Sequence, residues 1–478
     1  MHRTSFLAAL FLVSLPVAAQ QPPSFITESS PVIAIQHVQL FDGTGAAPLS
    51  DQTVVFDHGK ITAVGPASSV TPPSGAKLID ASGKTLIPGI VGMHEHLFYL
   101  SLFAGDQPVA FEQPYAFPLL YLASGVTTAR TTGSMDPYAD LHIKAAVDAG
   151  QLPGPNLFLT TPYLQGSPTL FFQMHELKDA AEARSFIDYW HSVGFTSVKA
   201  YANIHADELR AGIDEAHKLG MKVTGHLCSV GYRDAAEMGI DNLEHGPFQA
   251  PDGELYSKYK LGGGDCDYLA IVGELAQKIS PDGPELAETT RVLLAHHVAI
   301  TSTLAVEENG TRPPMAPSGY MSRVQALLTP ASWSHAMTFR AIASGFDQLE
   351  ETGLHKEMKF EVNFVKAGGL LMAGCDPTGD GHTLAGLGDQ RNYELLVEAG
   401  FSPSEAIHIM TLNGASFLGI SDRVGSIATG KQADLVLLNG DLAKDPAVIE
   451  HPITVFKNGV GYDSQAIYSS LAHQVGAQ

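Results

Sequence analysis

From residue 32 to residue 86, apolar and polar positions alternate in short stretches, the period-two pattern of strands with one buried face. Residues 32–40, 53–57 and 60–64 are the predicted strands, and His58-Gly59 supplies the hairpin turn between the last two. The same style returns near the far end, at 433–438 and 453–457, between Gly and Asp turns. Two all-β pieces at opposite ends of a chain can each supply strands that the other lacks. Residues 20–85 and 421–478 are therefore expected to build one small β-sandwich domain.

Between them the rhythm changes to short apolar runs, each followed by a stretch of helical period. The predicted strands are 86–93, 126–130, 156–160, 197–201, 222–225, 241–243, 298–303 and 369–374. The intervening helices are signalled by apolar stripes and by stops, as in 207–219 before Gly220. The last one opens Ser402-Pro403-Ser404-Glu405, an N-cap, a first-turn proline and a capping glutamate. Eight strand–helix units over residues 86–420 predict an α/β fold, a (β/α)₈ barrel carrying the catalytic site. The widest interval, between Gly246 and His297, is expected to hold a long loop or extra helices over one mouth.

The first residues follow neither pattern. Met1-His2-Arg3, an apolar run from Phe6 to Ala19 and then Gln20-Gln21-Pro22-Pro23 make residues 1–19 a secretory signal peptide. That run is too short to span a bilayer, so the mature protein is expected in the periplasm or outside the cell, with no membrane association. Cys228, Cys266 and Cys375 are too few and too scattered for a disulfide framework. The formal charge of −22 argues against nucleic acid, whose recognition needs a Lys/Arg excess to displace counterions.

The sharpest chemical signal is Met93-His94-Glu95-His96. In a strand, residues two apart share a face, so His94 and His96 project together while Glu95 points away. Two imidazoles at the C-terminal end of a barrel strand are either a metal-ligand pair or incidental. Four more residues fall at strand ends: Lys199, His226, His245 and Asp376. A lysine aimed into a barrel interior costs several kcal/mol unless it is paired, neutralised or used; the alternative is a lysine pointing outward between helices. Any one of these could be a core or loop residue. Their recurrence at strands one, four, five, six and eight is what separates them from chance.

These residues and their settings resemble the amidohydrolase superfamily, within it the imidazolonepropionase-like and Xaa-Pro dipeptidase-like branch. The resemblance rests on Pro88-Gly89-Ile90-Val91-Gly92-Met93-His94-Glu95-His96, Val198-Lys199-Ala200-Tyr201, Gly225-His226, Leu243-Glu244-His245-Gly246 and Ala373-Gly374-Cys375-Asp376. It extends to Asn413-Gly414-Ala415 and to Gly425-Ser426-Ile427 through Gly430-Lys431-Gln432-Ala433-Asp434. It implies a site for two divalent metal ions, zinc being the expected identity. His94, His96 and Asp376 would hold one ion, His226 and His245 the other. Lys199, carboxylated by CO₂ to a carbamate, would bridge them, supplying an oxygen to each dication where an ammonium would repel both. A metal-bridging hydroxide would attack the substrate carbonyl, and Asp376 would pass the proton to the departing amine. Gly92-Met93 stand where many relatives carry an aspartate, which leaves the ligand count intact. Cys375 beside Asp376 is read as core packing.

Substrate contacts are less defined. Tyr201 shares a face with Lys199 and could donate a hydrogen bond to substrate. Arg130 could bind a substrate carboxylate in a fork or form an ion pair behind the site. His142, Tyr232, Arg233 and His382 fall on or near loops of the catalytic face. Gly425 to Lys431 has phosphate-loop spacing, but Gln432 stands where Ser or Thr must reach magnesium. No Gly-x-Ser-x-Gly elbow occurs. The expected activity is therefore an exported zinc-dependent hydrolase of dipeptides or N-acyl amino acids. Hydrolysis of a cyclic (imidazolone-like) or xenobiotic amide such as a mycotoxin is the alternative within the class, and a non-catalytic periplasmic binding protein the alternative outside it. Its partner is a small amide or peptide, with homo-oligomerisation left open.

Overall fold

A computed structural model of the protein describes residues 25–101, 108–169, 171–248, 278–308, 319–343, 347–378 and 382–477. Residues 1–19, the expected signal peptide, lie outside the described residues, as does most of the stretch between Gly246 and His297.

Alternation at the two chain ends produces one nine-stranded sheet. Val32–Leu40 pairs with Leu49–Asp57, which pairs with Lys60–Pro66 through the turn at His58-Gly59. From the other end of the chain, Leu435–Leu438 joins antiparallel to Thr85–Pro88 and to Pro452–Lys457. The sheet curls over a core of its own that includes Ile33, Val54, Phe56, Leu86, Leu435 and Phe456. Phe56 and Phe456 lie on strands that are not neighbours, yet their rings meet edge-to-face at 5.4 Å.

Among the described residues, the central segment forms eight parallel barrel strands. They are Ile90–Glu95, Val126–Thr131, Asn156–Phe158 continued by Thr160–Leu164, Ser197–Ala200, Lys222–Gly225, Asn242–Glu244, Ala299–Ser302 and Leu371–Ala373. Each pairs in parallel with the next. The circle closes where the Asp376 amide donates to His94 O at 2.9 Å.

One predicted strand divides in two. Residues 86–93 were expected to run as one, but Thr85–Pro88 belongs to the small sheet and Ile90–Glu95 to the barrel. Pro88 has no N–H to continue a ladder. Gly89 turns where Thr127 crowds it, and a Cβ there would lie 2.1 Å from Thr127 Oγ1. The crossover between domains therefore sits at that pair. The helix opening at Ser402 is capped as its sequence predicts: Ser402 Oγ accepts from Glu405 N, and the Glu405 carboxylate accepts from Ser402 N at 2.8 Å. No helix among the described residues is long and apolar enough to cross a membrane.

Candidate metal centre

His94 and His96 leave the first strand on one side, their rings 5.4 Å apart. Glu95 points the other way, where its carboxylate accepts from Cys375 Sγ at 3.1 Å. The sequence-derived division of that tripeptide therefore describes the structure. Asp376, just past the last strand, reaches both imidazoles: Oδ2 lies 3.5 Å from His94 Nε2 and Oδ1 lies 3.3 Å from His96 Nε2. His245 Nε2 is 3.7 Å from Asp376 Oδ2, and its ring lies 4.6 Å from that of His226. Ligand atoms of His94, His245 and Asp376 fall within 4.8 Å of one another. Five residues expected at the strand ends thus surround one volume.

Two of the five bend the backbone to get there. Asp376 has φ +47° and His245 has φ +68°, a left-handed conformation that non-glycine residues adopt at a cost of roughly 1–3 kcal/mol. Strict alternation would send Glu244 and His245 to opposite faces. The turn at His245 lets both contact the site, and it is held on either side. Tyr232 Oη donates to Glu244 O at 2.7 Å and to Gly246 O at 2.9 Å. Gly246 itself (φ +102°) leaves room for the Glu357 carboxylate, which would lie 1.9 Å from an added Cβ.

Three of the four imidazoles are oriented from behind. His94 Nδ1 bonds Glu244 Oε2 at 2.8 Å, His96 Nδ1 bonds Gly133 O at 3.2 Å, and His245 Nδ1 bonds Thr303 Oγ1 at 2.7 Å. In each case Nε2 is the nitrogen turned toward Asp376, the arrangement by which outer partners fix a ligating tautomer. Burial holds His226 down to about 3, with the Lys199 charge adding to it, and lowers His94 and His245 as well. These rings therefore present neutral nitrogens. Burial would raise Glu244, but the Arg130 guanidinium beside it holds it well below the usual carboxylate range. Asp376 is likewise held low against its burial, with a hydrogen bond from His96 among the causes.

Lys199 completes the ring. Its side chain is 1% exposed and its Nζ has no hydrogen-bond partner. Burial lowers its pKa to about 8, so about a tenth is the neutral amine at pH 7, far more than for an exposed lysine. An orphaned amine among imidazoles and a carboxylate is the feature that a bridging carbamate would explain. The donor set, rich in neutral imidazole nitrogen and carboxylate oxygen, also fits a divalent transition metal.

The substrate candidates separate. Tyr201 lies on the site side, its ring 5.1 Å from His226, and burial raises its hydroxyl so that it stays an O–H donor. Arg130 does not face a substrate. It is 1% exposed, donates to Met93 O and forms an ion pair with Glu244 at 2.8 Å, so it acts behind the ligands. His142 is exposed on the helix Pro137–Asp148, away from the ligand cluster. His382 is buried beyond the last strand, where its carbonyl accepts from Tyr320 Oη at 3.1 Å.

Glu244 and Tyr232 matter more than their sequence reading suggested. The signal for Glu244 was present, because an acid within a buried barrel strand needs partners as much as Lys199 does.

A closed parallel barrel with histidines, a lysine and an aspartate gathered at its C-terminal end defines the class of metal-dependent hydrolases acting on C–N bonds. The chain belongs to the amidohydrolase family, whose model matches residues 85–460. It is 26% identical over 416 residues to the imidazolonepropionase of Geobacillus kaustophilus, covering 83% of this chain and 88% of that one. Among solved structures it resembles a putative prolidase from Bifidobacterium longum, with TM-score 0.64 and 24% identity over 93% of this chain and 99% of that one. It also resembles a Xaa-Pro dipeptidase with bound methionine in its active site, with TM-score 0.66 and 18% identity over 90% and 100%.

Proposed function

We propose that this protein is an exported zinc-dependent amidohydrolase that cleaves the amide or peptide bond of a dipeptide or N-acyl amino acid. The observation that carries this reading is Lys199 Nζ, buried without a hydrogen-bond partner among His94, His226, His245 and Asp376. Its neutral amine would add to CO₂, forming an N–C bond and releasing one proton. The resulting carbamate would replace a cation by an anion at the centre of the ligand set. His94, His96 and Asp376 would hold one ion, and His226 and His245 the other. Two such ions would activate water and polarise the carbonyl.

The chain's own residues divide the remaining work. Asp376, held ionised, accepts a proton at a carboxylate oxygen and returns it to the leaving nitrogen. Tyr201 keeps its proton and donates a hydrogen bond toward the substrate. Arg130 and Glu244 orient His94 without touching substrate.

Export is supported by the leader sequence and by the disulfide at Cys228, which fits folding in an oxidising compartment. A second reading, hydrolysis of a cyclic amide, is supported by likeness to imidazolonepropionases along most of the chain. A hydrolysis screen of the zinc-loaded protein against dipeptides, N-acyl amino acids and cyclic amides tests the choice. Turnover of the linear substrates is expected; turnover confined to cyclic amides would establish the second reading instead.

A further inference from the structure

Beside the metal centre, between the ends of the second and third barrel strands and the helix Ala180–Ser192, lies a cavity of about 490 Å³. That is within the range of small-molecule pockets. Most of its polar lining is already committed, the exception being the Ser134 hydroxyl, which is buried without a hydrogen-bond partner. Gln173 exchanges both hydrogen bonds with Ala110, at 2.8 and 3.2 Å. Ser185 donates to Ala181 O at 3.2 Å, and the Glu182 carboxylate takes Lys178 N at 2.8 Å and His175 at 3.1 Å. Besides that one neutral hydroxyl, what a guest meets is aromatic and thioether surface: Tyr163, Phe186, Tyr189, Trp190, Met135 and Met174. Tyr189 and Trp190 meet at 4.9 Å, and Phe186 and Trp190 at 6.1 Å, both near edge-to-face, so ring faces are arranged around the space.

One wall connects to the metal centre. Tyr163 pairs in sheet register with Lys199, and its ring lies 4.7 Å from Tyr201, which in turn lies 5.1 Å from His226. We propose that this cavity is a binding site for a neutral aromatic group, sensed at the metal centre through Tyr163 and Tyr201. A charged guest would find no uncommitted counter-charge among the lining residues named above, whereas a planar apolar ring fits their surfaces. The ring can be an arm of the amide substrate, which rests on the function proposed above, or a separate aromatic molecule.

The test uses the two tryptophans, Trp190 and Trp333. Trp333→Phe leaves Trp190, in the cavity wall, as the sole tryptophan reporter. Titration of the full-length variant with acetophenone should change its fluorescence saturably, whereas acetone, which lacks the ring, should not. Ser185→Phe, made on an exposed helix position, should put its ring into the space a guest ring would take and weaken the aromatic probe by at least about tenfold. Competitive inhibition of hydrolysis by acetophenone assigns the site to a substrate arm; non-competitive inhibition assigns it to a separate molecule. A non-saturable response, or one that Ser185→Phe leaves unchanged, overturns the proposal. Because binding is read by fluorescence, that failure is distinguishable from a failure to find the amide substrate.

Discussion

Glu244 Oε2 lies 2.8 Å from His94 Nδ1, while its Oε1 takes the Arg130 guanidinium at the same distance. One buried carboxylate thus orients a ligand with one oxygen and is held ionised through the other. Glu244→Gln keeps the shape but leaves Arg130 as an unpaired buried cation and weakens the grip on His94. Metal affinity should fall about 10–100-fold, measured by chelator competition. Folding stability should fall by roughly 3–5 kcal/mol in denaturant unfolding. Unchanged metal affinity would remove Glu244 from the ligand-positioning role.

Lys199→Ala should reduce kcat on the order of 10³-fold, corresponding to several kcal/mol of lost metal-centred stabilisation. Millimolar propionate should restore part of it, since a free carboxylate can occupy the place of the carbamate. Full activity in the unrescued variant would refute a bridging role.

Tyr232→Phe removes the donor that joins Glu244 O to Gly246 O across the strained His245. Two buried carbonyls lose a partner, so stability should drop by about 1–3 kcal/mol. A purely structural tyrosine would give only that. If it also holds the His245 backbone in place, metal affinity measured on folded protein should fall too, and kcat more than KM.

Burial raises Glu361 to about 8, so it is protonated in the folded protein near neutral pH. Its unfolded carboxyl ionises near 4.5, so the stability that the protonated form contributes is complete below that pH. This contribution is lost as pH rises through 8. Glu361→Gln should therefore match the parent at pH 4.5 and exceed it at pH 9 by up to roughly 4 kcal/mol. Thermal melts at the two pH values measure this, and equal differences at both would contradict the burial argument.

The ligand positions were legible because strand periodicity, strand order and residue type all converge at barrel strand ends. Closure of the small sheet from both chain ends was legible for the same reason of period. The role of Arg130 was not, since its partner Glu244 lies 114 residues away and only the closed barrel brings them together. The crossover at Pro88-Gly89 was hidden because the apolar pattern runs on through it. The aromatic cavity was equally hidden: its walls come from strand ends, a loop and the helix Ala180–Ser192, which share no local pattern.

In the proposed function, six residues, His94, His96, Lys199, His226, His245 and Asp376, hold two metal ions on which hydrolysis depends. Elemental analysis of purified active protein, paired with amide hydrolysis before and after chelation, tests it most directly. About two zinc per chain is expected, with activity lost on stripping and regained on adding zinc. Full activity in protein free of metal would contradict the account.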